Sequence, residues 1–184
     1  DNMGRPAVNI LPTPVKTTTG NKLQYYNALN KKINSTAPFS FNDININCIT
    51  TAEKMDNSSG AAQYYSANNP FLNDPNYYFT KYVPDAEGYP YTLTEYTPDN
   101  TGRIRRQGGV GPDFQIGSGH ETQYYYGKPL QGELDRLFGV EAGNASHYLK
   151  NMVVDPNGQI SVSYQDAAGK TVATALAGAA PLNM

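Results

Sequence analysis

Cysteine is nearly absent from this chain. Cys48 is the only one, so no disulfide can close within the chain and no Cys-rich zinc site can be built. Histidine is almost as rare, with His120 and His147 alone. Charge is thin: 16% of residues are charged, the formal net charge is -2, and no long run of one sign occurs. Ordinary globular domains carry about 25% charged residues. The one basic cluster, Arg103-Ile104-Arg105-Arg106, is short and lies among strand-forming residues, so it reads as a solvated strand face and no nucleic-acid partner is expected. No apolar run is long enough to span a membrane. Hydrophobic residues reach only 39%, against about 45–50% in typical domains.

Gly, Pro, Asn, Thr, Ser and Tyr fill the gap. Gly 17, Pro 13 and Tyr 15 together describe many turns joined by aromatic-rich strands. With 11% aromatic residues the chain is too aromatic for a solvated tail, and its 184 residues suffice for an ordinary domain core.

The string Asp-x-x-Gly recurs five times: Asp1 to Gly4, Asp85 to Gly88, Asp99 to Gly102, Asp155 to Gly158 and Asp166 to Gly169. Its chemistry suits a turn. An Asp carboxylate at the first position bonds the backbone two residues on. A Gly at the fourth enters the left-handed region without steric cost. Together they predict a type I turn followed by a bulge, a common three-residue hairpin connection. Pro156 presets φ at the second position. Calcium ligation by these aspartates is the rival reading, but calcium loops gather several oxygen ligands within a dozen residues, and each turn here offers one carboxylate, or two where Glu87 follows Asp85.

The flanks alternate. Tyr89 to Tyr96 and Gln159 to Tyr164 alternate polar and apolar residues, and Lys170 to Leu176 is β-branched at first. Period-two alternation between turn signals predicts half-buried antiparallel strands, hence an all-β fold of repeated hairpins.

These residues carry a resemblance. Tyr164-Gln165-Asp166-Ala167-Ala168-Gly169-Lys170, with Val172 and Gly178 behind it, resembles the YD repeat of Rhs proteins: Tyr, Asp, two variable residues, Gly, Arg, an alternating strand and a Gly. Tyr96-Thr97-Pro98-Asp99-Asn100-Thr101-Gly102-Arg103 is similar, with one extra residue before the Asp, and Asp1-Asn2-Met3-Gly4-Arg5 resembles a copy without its Tyr. Three copies depart at the Arg position, which holds Tyr89, Gln159 or Lys170. The span from Tyr89 to Gly178 also resembles very large bacterial Rhs-type proteins, through pieces such as Thr101 to Gly109 and Gly117 to Thr122.

The resemblance, which extends to toxin-complex and teneurin shells, implies a β-sheet that spirals into a hollow cocoon and encloses or displays a C-terminal effector or toxin. It implies a secreted or surface protein, with partners in the same long polypeptide, in secretion machinery or on a target cell. In that setting the chain is one shell segment, less regular over 7–80 and clearest over 82–107 and 153–178, with no internal boundary. Because the sequence opens at the Asp of a motif, an excerpt of a longer polypeptide is expected.

Other segments break the repeat. Pro129, Leu130, Leu134, Leu137 and Phe138, followed by Gly139, predict a short inserted helix near 129–138. Its apolar face should pack on the sheet, and Glu133 and Arg136 can pair across one turn for about 0.3 kcal/mol. Val8, Ile10 and Leu11 before Pro12 and Pro14 predict an edge strand. Ile44, Ile46 and Cys48 predict another strand, Leu23, Tyr25 and Tyr26 fit strand or helix, and the Asn-, Ser- and Pro-rich stretches 55–60 and 66–75 predict loops.

Catalytic motifs fail on inspection, and no catalytic, cofactor or metal residue is assigned. His120-Glu121 lacks the second His four residues on that a zinc protease needs; position 124 is Tyr. Ser118 lacks the glycines of a nucleophile elbow, and Gly108-Gly109-Val110-Gly111 lacks a phosphate loop's Lys. The glycine run therefore reads as a close backbone approach. The Asn34, Asn57 and Asn144 glycosylation triplets carry little information in so Asn- and Ser-rich a chain. Tyrosine pairs at 25–26, 64–65, 77–78 and 124–126, if on strands, would face one ring inward and one outward. Clustered outward rings would suit an adhesin surface that stacks on glycans.

Overall fold

The computed structural model describes residues 1, 3–14, 29–40, 43 and 53–178. The expected strand at Ile44, Ile46 and Cys48 and the element around Leu23, Tyr25 and Tyr26 lie outside the described residues. Most of the regular structure is antiparallel sheet. The strands are β1 (Val8–Ile10), β2 (Tyr91–Tyr96), β3 (Ile104–Gly108), β4 (Thr122–Gly127), β5 (Leu149–Val154), β6 (Ile160–Gln165) and β7 (Thr171–Ala177). They take the sheet order β1-β2-β3-β4-β5-β6-β7, so neighbours in the sheet are neighbours in sequence. This is the all-β architecture that alternation and turn spacing predict. Contacts divide the chain into two compact units where the sequence marks no boundary: 1–95 with 107–121, and 96–106 with 122–184.

The first unit's core gathers Phe39, Met55, Ala62, Tyr91, Leu93 and Ile116, with Val8, Ile10 and Tyr89 against it. Alternation along β2 does this work: Tyr91 and Leu93 are buried while Thr92 and Thr94 are only half-buried. β1 pairs with β2 through Val8↔Leu93 and Ile10↔Tyr91 and stops two residues before Pro12, as its prolines require. Three helical pieces among the described residues here have no sequence precursor above: the 3-10 turn Pro112–Phe114, α1 (Gly60–Tyr64) and the 3-10 stretch Pro75–Tyr82. Asp74 caps the latter by accepting Asn76 N–H at 3.0 Å. Among the tyrosine pairs in the described residues, 64–65 and 77–78 therefore sit on helical turns or their caps, and 124–126 lie on a strand; the pair 25–26 lies outside the described residues. Strand logic fails for the first two because the Asn-, Ser- and Pro-rich stretches around them favour caps and turns.

The glycine run approaches backbone closely. A Cβ on Gly108 would stand 2.9 Å from Ile116 N and 3.2 Å from Phe114 O. Gly109 N–H donates to Phe114 O at 2.7 Å, and the buried Gln115 amide donates to Gly109 O at 2.6 Å. Gly108→Ala is expected to destabilise the first unit by about 1–3 kcal/mol, because backbone cannot yield as a side chain can. Gly111→Ala meets nothing within 4 Å and suffers only the strain of φ +86°, a cost of about 1 kcal/mol. Urea midpoints of the two variants, measured side by side, check that order.

The second unit packs α2 (Gln131–Phe138) against β5 and β6. Leu134 is fully buried with Val162 and Tyr164, and Ala145, Tyr148, Met152 and Ile160 surround them. α2 begins after Pro129, and Gly139 ends it at φ +81°. Its apolar face only partly packs as expected. Leu134 is inside and Phe138 meets the Tyr164 ring edge-on at 5.9 Å, but Leu130 and Leu137 are exposed. For Leu130 the reason is the helix's late start, which leaves it at the cap and not in the first turn.

Candidate functional site: the Asp-x-x-Gly hairpin turns

Three of the five turns share one geometry. At Asp166, Gly169 N–H donates to the Asp166 carbonyl at 2.9 Å, and Asp166 N–H donates to Lys170 O at 2.9 Å. The carboxylate oxygen Oδ1 accepts from Ala168 N–H and Lys170 N–H, both at 2.9 Å. At Asp155 the Oδ1 acceptor takes Asn157 N–H at 2.9 Å and Gln159 N–H at 2.8 Å, with the same two backbone bonds at 2.9 and 3.0 Å. At Asp1 it takes Met3 N–H at 3.0 Å and Arg5 N–H at 2.9 Å, while the terminal amine donates to Arg5 O at 2.6 Å. Gly4, Gly158 and Gly169 stand at φ +74°, +80° and +80°. This is a type I turn with a left-handed glycine bulge, in which one carboxylate oxygen fastens both sides of the turn.

The other two turns use the same string differently. At Asp85 the closing bond moves one residue on, Tyr89 N–H to Ala86 O at 2.8 Å, and Glu87 and Gly88 are both left-handed at φ +51° and +91°. Asp85 Oδ1 still accepts Glu87 N–H at 2.7 Å. At Asp99 a wider loop closes by Thr97 N–H to Arg103 O at 2.8 Å, with Asn100 at φ +60° and Gly102 at +75°. There Asp99 collects the Thr97 and Thr101 hydroxyls and the Arg103 guanidinium at 2.6–2.7 Å, which hold its carboxyl well below the usual range.

The residue after the Gly explains part of the Arg position. Arg5 Nε donates to Asp1 Oδ2 at 2.7 Å, and Arg103 Nη2 to Asp99 Oδ2 at 2.6 Å. Each arginine thus folds back on its own turn's Asp. Arg103 also lies over the Tyr126 ring at 4.7 Å, whose hydroxyl donates to Ile104 O at 2.9 Å. Gln159 and Lys170 join their turns through backbone N–H groups. The motif tyrosines lie on the strands that enter the turns: Tyr164 is buried in β6 under α2, and Tyr96 is half-buried at the end of β2. Gly178 follows β7 at φ +154°.

Asp166→Ala removes an acceptor of two N–H groups and is expected to cost about 1 kcal/mol. Asp166→Asn, which keeps one amide oxygen, should cost less. Denaturation midpoints, with amide exchange at Lys170 as the local reporter, check the pair.

A second constellation carried no sequence signal. Glu133 Oε1 of α2 accepts both Lys150 Nζ of β5 and the Tyr164 hydroxyl of β6, each at 2.5 Å. Glu133 therefore pairs with Lys150 and not with Arg136 as expected, because the strand cation lies against the helix's sheet-facing side. Burial pushes the Glu133 carboxyl up, but the bonds from Lys150 and Tyr164 outweigh it, and the net shift is downward. Burial and the Glu133 acceptor push the Tyr164 hydroxyl up to about 12. A lowered Glu133 stabilises the fold above the ordinary carboxylate range, and that contribution vanishes as pH falls through the lowered value. The raised Tyr164 contributes fully below pH about 10 and loses its share as pH rises through about 12. Glu133→Gln should thus lower the melting temperature near neutral pH and converge with wild type in strong acid, as a pH series of melting curves would show.

The remaining residues weighed for chemistry are dispersed. His120 is exposed, and its backbone N–H donates to Ser118 Oγ at 3.1 Å. Glu121 is buried and accepts Gly119 N–H at 2.9 Å. His147 closes a single 3-10 turn capped by Asn144. Among the described residues no group of three or more His, Cys, Asp or Glu is placed to hold a metal ion, and no helix is long and apolar enough to cross a membrane. No family model matches the chain, and no curated protein matches it.

Proposed function

We propose that this chain is a structural wall segment of a large Rhs-type protein, secreted or surface-displayed, whose β-shell encloses or displays a C-terminal effector, and that it has no catalytic role of its own. The observation that carries the reading is the repeated turn. Asp1, Asp155 and Asp166 build the same carboxylate-fastened bulge, and two of the motif's arginines fold back on their own aspartates. The turns at Asp155 and Asp166 join β5 to β6 and β6 to β7, neighbours both in sequence and in the sheet, the arrangement from which a sheet can be extended hairpin by hairpin, each added strand burying its neighbour's edge.

A second reading has its own observation. Tyr78, Phe79 and Tyr82 expose 72%, 47% and 73% of their surface within one 3-10 stretch, beside Lys81. Exposed aromatic faces suit stacking on sugar rings, so an adhesin surface is the alternative. Peptide mapping of the native polypeptide separates the two. A parent chain carrying further Asp-x-x-Gly hairpins on both sides of this sequence supports the wall. A mature protein of this length alone overturns it and leaves the adhesin reading, which glycan binding lost on Tyr78→Ala and Tyr82→Ala would then support.

A further inference from the structure

In the three turns that share one geometry, the third position holds Met3, Asn157 and Ala168, and all three are exposed. The turn asks nothing of the side chain there. Only the backbone bonds, as Asn157 N–H does to Asp155 Oδ1 at 2.9 Å. The Asn157 side-chain amide has no hydrogen-bond partner among the described residues. Gly158 follows it, and no other asparagine of the chain precedes a glycine. An Asn-Gly pair is chemically vulnerable. The backbone nitrogen of the second residue can close a five-membered ring on the side-chain carbonyl carbon of the first. Glycine has no Cβ to obstruct that approach and turns freely into it.

We infer that Asn157 is a site of spontaneous deamidation, with water as its only co-reactant, and that the Asp155-fastened turn sets the rate. The Gly158 nitrogen attacks Asn157 Cγ and gives its proton to solvent. The bond from Cγ to the side-chain nitrogen breaks, ammonia leaves, and a succinimide remains. Water then adds to one of the two ring carbonyls, and opening of the ring yields aspartate or isoaspartate; nothing is oxidised or reduced. In the folded turn the attacking nitrogen is held, because Gly158 N–H donates to Asp155 O at 2.9 Å. Asp155 Oδ1 also holds the residues on either side, Asn157 N–H at 2.9 Å and Gln159 N–H at 2.8 Å. Ring closure needs that nitrogen released and the backbone turned, so the reaction runs from the opened turn and its rate follows the opened fraction. Isoaspartate carries the main chain through the former side chain and lengthens it by one CH2. Gly158 and Gln159 N–H then no longer both reach Asp155, and the β5–β6 hairpin loses its fastening. The inference rests on this turn alone and stands whether or not the chain belongs to a shell.

Peptide mapping of the whole chain, aged for weeks in warm, mildly alkaline buffer, tests this. Electron-transfer fragmentation counts aspartate and isoaspartate at each asparagine. Conversion at Asn157 should exceed by several-fold that at Asn57 and Asn144, which are also exposed but precede Ser58 and Ala145. Asp155→Ala should speed conversion at Asn157 about fivefold, as the loss of two hydrogen bonds opens the turn. Asp166→Ala loosens the next turn instead and should leave the Asn157 rate near wild type. The chain unfolded in urea should convert at Asn157 faster than the folded protein does, and circular dichroism confirms that both variants remain folded. Four results overturn the inference: conversion at Asn57 or Asn144 that matches Asn157, an Asp155→Ala protein that ages no faster than wild type, an Asp166→Ala protein that speeds the site as much as Asp155→Ala does, or equal rates in the folded and unfolded chain.

Discussion

Tyr91→Ala should cost the first unit about 3–5 kcal/mol, the range for emptying an aromatic site in a core. Against a typical domain stability of about 5–15 kcal/mol, that approaches outright unfolding. Tyr91 is fully buried. Its ring lies 5.6 Å from Phe39 and 6.2 Å from Tyr89. Its hydroxyl donates to Glu53 O at 2.7 Å, and its own carbonyl accepts from the Gln115 amide at 3.3 Å. One residue thus joins β2 to segments 38 and 24 positions away. Tyr91→Phe keeps the ring and leaves the Glu53 carbonyl without that donor, so a loss of about 1–2 kcal/mol is expected. Burial also pushes the Tyr91 hydroxyl well above its usual value, with Tyr89 and Glu53 adding to the shift. Its contribution is complete below pH about 10 and declines as pH rises beyond the ordinary tyrosine range. Wild type should therefore lose stability in strong alkali more steeply than Tyr91→Phe. Guanidinium unfolding of the three proteins at neutral and alkaline pH checks both statements.

Leu134→Ala should cost the second unit about 2–5 kcal/mol. Leu134 is the one fully buried side chain of α2, while Leu130, Leu137 and Phe138 are exposed by 76%, 49% and 41%. The helix therefore depends on a single apolar anchor, on the Glu133 bonds, and on Gln131, whose side chain bonds Gly143 O and Ala145 N–H at 2.8 Å. Removing the anchor leaves a cavity against Val162 and Tyr164. Leu137→Ala, on the same helix, should cost under about 1 kcal/mol because little surface is lost. Hydrogen exchange along α2, β5 and β6 distinguishes them: Leu134→Ala should speed exchange in all three elements, and Leu137→Ala in α2 alone.

What the sequence discloses is what is settled locally. Asp155 and Asp166 fasten their turns through N–H groups two and four residues on, so the string itself contains nearly all that builds the turn. Alternation in Ile160 to Gln165 likewise gives β6 and its buried side, Val162 and Tyr164. The string is less informative where another residue takes the left-handed position. Glu87 and Asn100 do so, and their turns close elsewhere. The first unit's core is nearly invisible in sequence because Phe39, Met55, Ala62, Tyr91 and Ile116 come from five separate segments. The Glu133 cluster escapes notice for the same reason: Lys150 lies 17 residues on and Tyr164 31, and no spacing rule links them.

The central claim is that these hairpins form a stretch of a longer wall. Electron cryo-microscopy of the native polypeptide tests it most directly. A wall segment should show β1 and β7 each hydrogen-bonded to a further strand of the same chain, with carboxylate-fastened turns recurring along the sheet. A native protein in which β1 and β7 remain the outermost strands, with no sheet continuing beyond either, would contradict it.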